Sequence, residues 1–195
     1  MKMTYSRGRS NINIEGKTLN ILFLLTAIFI YSQKYPLKYG VKGGWNYSVV
    51  NAVDEIGQPS GYISGIIDEL YGGFALEKQI TQKSYLQSGL LISYTDAITF
   101  VELPIFYKYN FYRKFSLLAG TKIEFIPDEQ NNQFIYFKRR VGFSLNFGID
   151  YQIFKNFLLE GYFSKAFVKQ FDDNILGFYD SKRNVYRIGL TYFIN

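Results

Sequence analysis

Four carboxylates sit among alternating apolar residues: Glu102 in VELPIFYKYNF, Glu124 in FSLLAGTKIEF, Asp150 in RVGFSLNFGIDYQI and Glu160 in NFLLEGYFSKAF. Two such groups brought together could act as general acid and general base, one protonated and one ionised. Lys42, Lys108, Lys122, Arg140 and Arg187 occupy the same phase of the same kind of segment. Cations so placed favour ion pairing over catalysis, because buried charge is tolerated where it is paired. The chain has no His and no Cys. It therefore lacks the usual base of an activated nucleophile, and no disulfide framework is available. DELYGG and FDDN offer oxygen ligands but not the twelve-residue calcium-loop pattern. GVKGG lacks phosphate-loop spacing. The expectation is a structural charge network with no catalytic residue, cofactor or metal site.

Strands must position these side chains, because the residues around them alternate in character. In 140–153, Val141, Phe143, Leu145, Phe147, Ile149 and Tyr151 are apolar, and Arg140, Gly142, Ser144, Asn146, Gly148, Asp150 and Gln152 lie between them. Period-two alternation gives a strand with two unlike faces. The same test finds seven more segments, at 38–50, 67–78, 84–95, 99–111, 115–125, 156–167 and 184–195. Three connections are hairpin-short (QITQK, YRK and FKN), as is TDAIT, whereas NAVDEIGQPSGYISG, IPDEQNNQFIYF and VKQFDDNILGFYDSK are long and polar. Short turns at one end, longer loops at the other and an even strand count are features of a bacterial outer-membrane barrel.

Which face meets lipid follows from the residue types. The polar face collects charges of both signs with Gly and Ser, and eight strands enclose a lumen that side chains can fill. The other face is nearly free of charge and carries Tyr39, Tyr47, Tyr94, Tyr109, Tyr151 and Tyr192 near strand ends, as an interfacial aromatic girdle would. The expected fold is all-β, an eight-stranded antiparallel transmembrane β-barrel over residues 33–195. A lipocalin-like soluble barrel with a ligand pocket shares the strand count and the alternation, and is the alternative.

Lys17 precedes an apolar run from Leu19 to Ile30 that ends at Tyr31-Ser32-Gln33. Such a run is too short to span a bilayer as a helix and reads as a cleaved signal peptide. Residues 1–32 form the expected leader, with export to the outer membrane. That leader holds four bases and one acid, so +3 of the formal +6 belongs to the remaining chain. No basic cluster of a nucleic-acid footprint accompanies it, and nucleic acid is not an expected partner.

YGVKGGWNYS, VELPIFYKYNF and RIGLTYFIN, with SYLQSGLLIS and FLLEGYFSKAF, resemble the outer-membrane β-barrel proteins of Bacteroidetes-type bacteria grouped as PorT-like. The resemblance spans about Tyr39 to Asn195. It implies recognition of the final strand by barrel-assembly machinery, although the chain ends Phe193-Ile194-Asn195 and not on an aromatic residue. It also implies, as one alternative, an accessory role in a protein secretion apparatus. The expected function is non-enzymatic: an anchoring or interaction scaffold in outer-membrane lipid, meeting an envelope or secretion partner through its loops. Asp128, Glu129, Asn131, Asn132, Asp172, Asp173 and Asn174 would lie at loop tips. A narrow channel is a further alternative.

Overall fold

The computed structural model describes residues 35–52, 56, 65–94, 98–127, 137–171 and 179–194. The expected leader and the acidic loop tips lie outside these residues. Eight strands follow one another: β1 (Leu37–Ala52), β2 (Gly65–Gln79), β3 (Ser84–Tyr94), β4 (Thr99–Tyr112), β5 (Phe115–Phe125), β6 (Val141–Phe154), β7 (Phe157–Ala166) and β8 (Tyr179–Phe193). Each pairs antiparallel with its neighbours, and β8 returns to β1 to close the barrel. Closure leaves no sheet edge, which is what lets a β-structure lie in hydrocarbon. The strands run from 10 to 16 residues, enough for tilted spans that need about 9–11.

The barrel is inside-out relative to a soluble one. Along β4, Glu102, Pro104, Phe106 and Lys108 are buried, and Leu103, Ile105, Tyr107 and Tyr109 are exposed. Along β6, Phe143, Phe147 and Ile149 are exposed, whereas Ser144, Asn146 and Asp150 are buried. Large apolar side chains such as Phe74 (69% exposed) and Ile188 (59%) would be an aggregation hazard in water. Facing lipid, they belong where they are. A water-soluble barrel reverses this pattern, so the alternation describes a transmembrane barrel.

Aromatic pairs gather toward both ends of the outer face. Phe115 and Tyr151 lie 4.8 Å apart and Phe157 and Tyr192 5.0 Å apart at the short-turn end. Phe163 and Tyr186 (4.8 Å) and Phe143 and Phe167 (6.2 Å) lie toward the other. The β4–β5 turn is tight enough to force Arg113 into the left-handed region at φ 45°.

Two departures from the alternation have local causes. β8 begins at Tyr179, earlier than the expected residue 184, because DSKRN is polar on both faces and gives no period-two signal. Pro104 occupies the middle of β4, where a ladder donor is missing. The β3–β4 pairing runs to Ser88↔Ile105 and resumes at Leu91↔Glu102. The Ser88 hydroxyl donates to the Pro104 carbonyl at 2.9 Å, which puts that residue's polar edge on the β3 side. The β4–β5 ladder passes Pro104↔Lys122 without a break.

Candidate functional site

Every expected lumen charge except Arg140 is buried inside the barrel: Lys42, Glu102, Lys108, Lys122, Glu124, Asp150, Glu160 and Arg187. Arg140 is corrected. It lies at a bend just before β6 and its side chain is exposed. Its position continues the inward phase of Gly142 and Ser144, but the strand that would turn it inward starts one residue later. Two further members were not singled out from the sequence, Glu69 and Arg183, buried at 2% and 0% exposure. Glu69 shares the phase of Tyr71 and Glu77 and was within reach of the alternation test. Arg183 lies in the polar run that hid the start of β8.

Cross-strand register makes these carboxylates a problem before it makes them a site. Glu102 stands directly opposite Glu124, and Asp150 opposite Glu160. Like charges so placed repel, and in a narrow lumen cations must intervene. Arg183 supplies Nη1 to Glu124 Oε2 at 2.8 Å, Nε to Glu69 Oε1 at 2.8 Å and Nη2 to Glu102 Oε1 at 3.2 Å, with a second short contact to Glu69. Lys122 Nζ lies 2.8 Å from Glu124 Oε2 and 3.5 Å from Glu102 Oε1. Arg187 donates to Glu102 Oε2 at 2.7 Å, to Asn46 Oδ1 at 2.5 Å and to Tyr162 Oη at 2.6 Å. Three acids and three bases thus share one cluster.

The other like-charge pair is divided between separate lysines. Lys42 Nζ lies 2.8 Å from Glu160 Oε2, and Tyr71 Oη and Thr191 Oγ1 donate to the same carboxylate at 3.4 and 3.3 Å. Lys108 Nζ holds Asp150 Oδ2 and Glu77 Oε2 at 2.9 Å each, and Lys38 reaches Glu77 at 3.5 Å. Each carboxylate of a would-be acid/base pair is committed to a cation. Among the described residues, no group of acidic side chains is arranged to hold a metal ion.

Aromatic rings complete the packing. The Arg183 guanidinium lies 3.9 Å from the Phe100 ring centroid, and Arg187 lies 4.0 Å from Tyr71 and 5.3 Å from Tyr162. These are cation–π distances in a desolvated setting, where the interaction is strongest. Glycines make room for the rings. A Cβ on Gly189 would collide with the Tyr71 hydroxyl, and one on Gly44 would touch its ring edge. The larger surprise is apolar. Val50, Ile98, Phe100, Ile126 and Phe171 form a buried cluster at the long-loop end, with Phe137 packed against it. A smaller cluster of Ala75, Leu158 and Phe193 lies toward the turns. The central charges are therefore sandwiched between apolar layers, with a polar recess of about 40 Å³ at the turn mouth beside Lys38, Glu77, Lys108 and Asp150.

No family model matches the sequence, and no curated protein does. Among solved structures, the chain is similar to Ail, the attachment invasion locus protein of Yersinia pestis (12% identity, TM-score 0.45, covering 80% of this chain and 98% of that one). It is similar to Neisserial surface protein A (8%, TM-score 0.48, covering 79% and 96%). It is also similar to the outer membrane protein OprG from Pseudomonas aeruginosa (14%, TM-score 0.45, covering 83% and 97%). The fold assignment rests on the closed strand pairing and the facing of its side chains, not on these likenesses.

Proposed function

We propose that this chain is a non-enzymatic outer-membrane β-barrel that serves as an anchoring or interaction scaffold and engages an envelope partner through its extracellular loops. The observation that carries this reading is the committed lumen, in which carboxylates and cations are paired with one another beneath an apolar layer. Groups spent on each other are poor acids, bases or substrate ligands. A rigid barrel that bears long connections at one end is the arrangement in which loops carry recognition. Export by a signal peptide, and assembly through the β8 strand by the barrel-assembly machinery, belong to the same proposal.

Cross-linking in native membranes followed by affinity purification tests it. The expected result is one envelope protein recovered with the intact chain and lost when the 128–136 and 172–178 connections are replaced by short Gly-Ser linkers. Recovery that survives both replacements would overturn the loop reading. The PorT-like resemblance supports a narrower version, in which the partner belongs to a secretion apparatus. A deletion strain would then accumulate undelivered secretion substrates, and normal secretion would remove that version.

A further inference from the structure

Exposed cations lie at both ends of this barrel, with Lys138, Arg139, Arg140, Lys165 and Lys169 toward the long loops. No acid among the described residues is exposed beside the cations of the short-turn end. At the short-turn end lie Lys83 in the β2–β3 turn, Arg113 and Lys114 in the β4–β5 turn, and Lys155 in the β6–β7 turn, all exposed. Lys38 and Lys78 stand half-buried on β1 and β2 at the same level. The acids of this end, Glu77 and Asp150, are buried in the lumen. Among the described residues the exposed acid is Asp68. It lies on the loop-end half of β2 and accepts from the Trp45 indole at 3.4 Å.

We infer that the short-turn rim is a binding surface for anionic phospholipid headgroups, of the phosphatidylglycerol class, in the leaflet that surrounds it. This inference rests on the transmembrane reading above. Three observations favour lipid over a protein partner. First, the cations ring the barrel: they occupy β2 and all three short turns, whereas a folded acidic protein would cover one side. Lys38 of β1 is turned to the lumen mouth, where it pairs with Glu77. Second, they sit at the aromatic girdle, the depth of the headgroups. Lys114 Nζ lies 6.0 Å from the Tyr151 ring and donates to the Ile153 carbonyl at 3.2 Å, and Arg113 lies 5.3 Å from the Tyr112 ring. Third, Lys78 is on the lipid-facing side itself, paired across strands with Leu37 and Leu86. A long side chain there covers apolar surface and carries its charge out to the interface. Basic residues at an anionic surface attract headgroups additively and within a Debye length.

Reconstitution of the full chain into phosphatidylcholine vesicles, alone or doped with phosphatidylglycerol, tests the inference with spin-labelled lipids of both types. The wild type should immobilise labelled phosphatidylglycerol about five-fold more than labelled phosphatidylcholine, the order of effect that one interfacial cation supports. High salt should abolish the preference. The K83Q/R113Q/K114Q/K155Q variant should insert equally well and lose most of it. Single variants K83Q and K155Q should show partial losses if the quadruple variant assembles poorly. A wild type without preference, a preference unchanged in the variants, or salt-sensitive capture of poly-glutamate with no lipid preference would each overturn it. Insertion into neutral vesicles is scored separately by a heat-dependent gel shift, and failure there would instead refute the membrane reading.

Discussion

Removing the Arg183 guanidinium would leave Glu69 and Glu124 facing each other's cluster with one cation fewer, inside a lumen that water reaches poorly. Breaking a buried ion network at one partner costs about 3–5 kcal/mol, a large share of the stability of a small domain. Arg183→Met should therefore lower the denaturant midpoint of the refolded barrel far more than Arg140→Met. Arg140 is exposed beside β6, and its loss should fall within about 0.5 kcal/mol of neutral. Equal effects of the two variants would contradict the assignment of Arg183, and not Arg140, to the lumen. The same logic predicts that Glu102→Gln is costlier than any rim substitution, because Arg183, Arg187 and Lys122 all contact that carboxylate.

At the scale of a strand, depth decides the cost of a misplaced charge. Phe147 is midway along β6 and 57% exposed, whereas Phe143 lies two residues inside its loop-end start. Phe147→Arg should cost about 2–4 kcal/mol and Phe143→Arg distinctly less, since the penalty fades toward the interface. Unfolding titrations in vesicles would read both, and the reverse order would invalidate the assigned depth. The β3–β4 seam should also be the more labile of β4's two seams. Amides of Ser88–Leu91 that face β4 should exchange faster in micelles than those bridging β4 and β5, and equal protection would show the ladder intact past Pro104. Much of this was legible beforehand, because period two survives wherever one face is apolar, as in β4, β5 and β6. It failed where both faces turn polar. The run Asp180-Ser181-Lys182-Arg183 hid the start of β8 and with it the cation that contacts three glutamates. The apolar layer of Val50, Ile98, Phe100, Ile126 and Phe171 was equally hidden. Its members come from distant parts of the chain and meet only when the barrel closes.

For the whole molecule, the filled lumen sets the expectation for transport. Eight strands enclose a space that side chains can occupy, and here apolar clusters flank a paired ionic core. Planar-bilayer recordings of the reconstituted chain should show no discrete conductance at moderate voltage. Steps that are abolished by filling the turn-mouth recess would establish a channel instead.

Seven of the eight seams join strands adjacent in the chain, while the eighth joins Trp45 to Ile188, roughly 140 positions apart. The entropy of ring closure falls on that one seam, and so does the slow, non-local part of folding. Until β1 meets β8, the chain is an open sheet with two rows of unpaired backbone groups, a form that hydrocarbon does not accept. Entry into the bilayer core and closure of the ring are therefore coupled, and a catalyst of assembly must shield both edges until they meet.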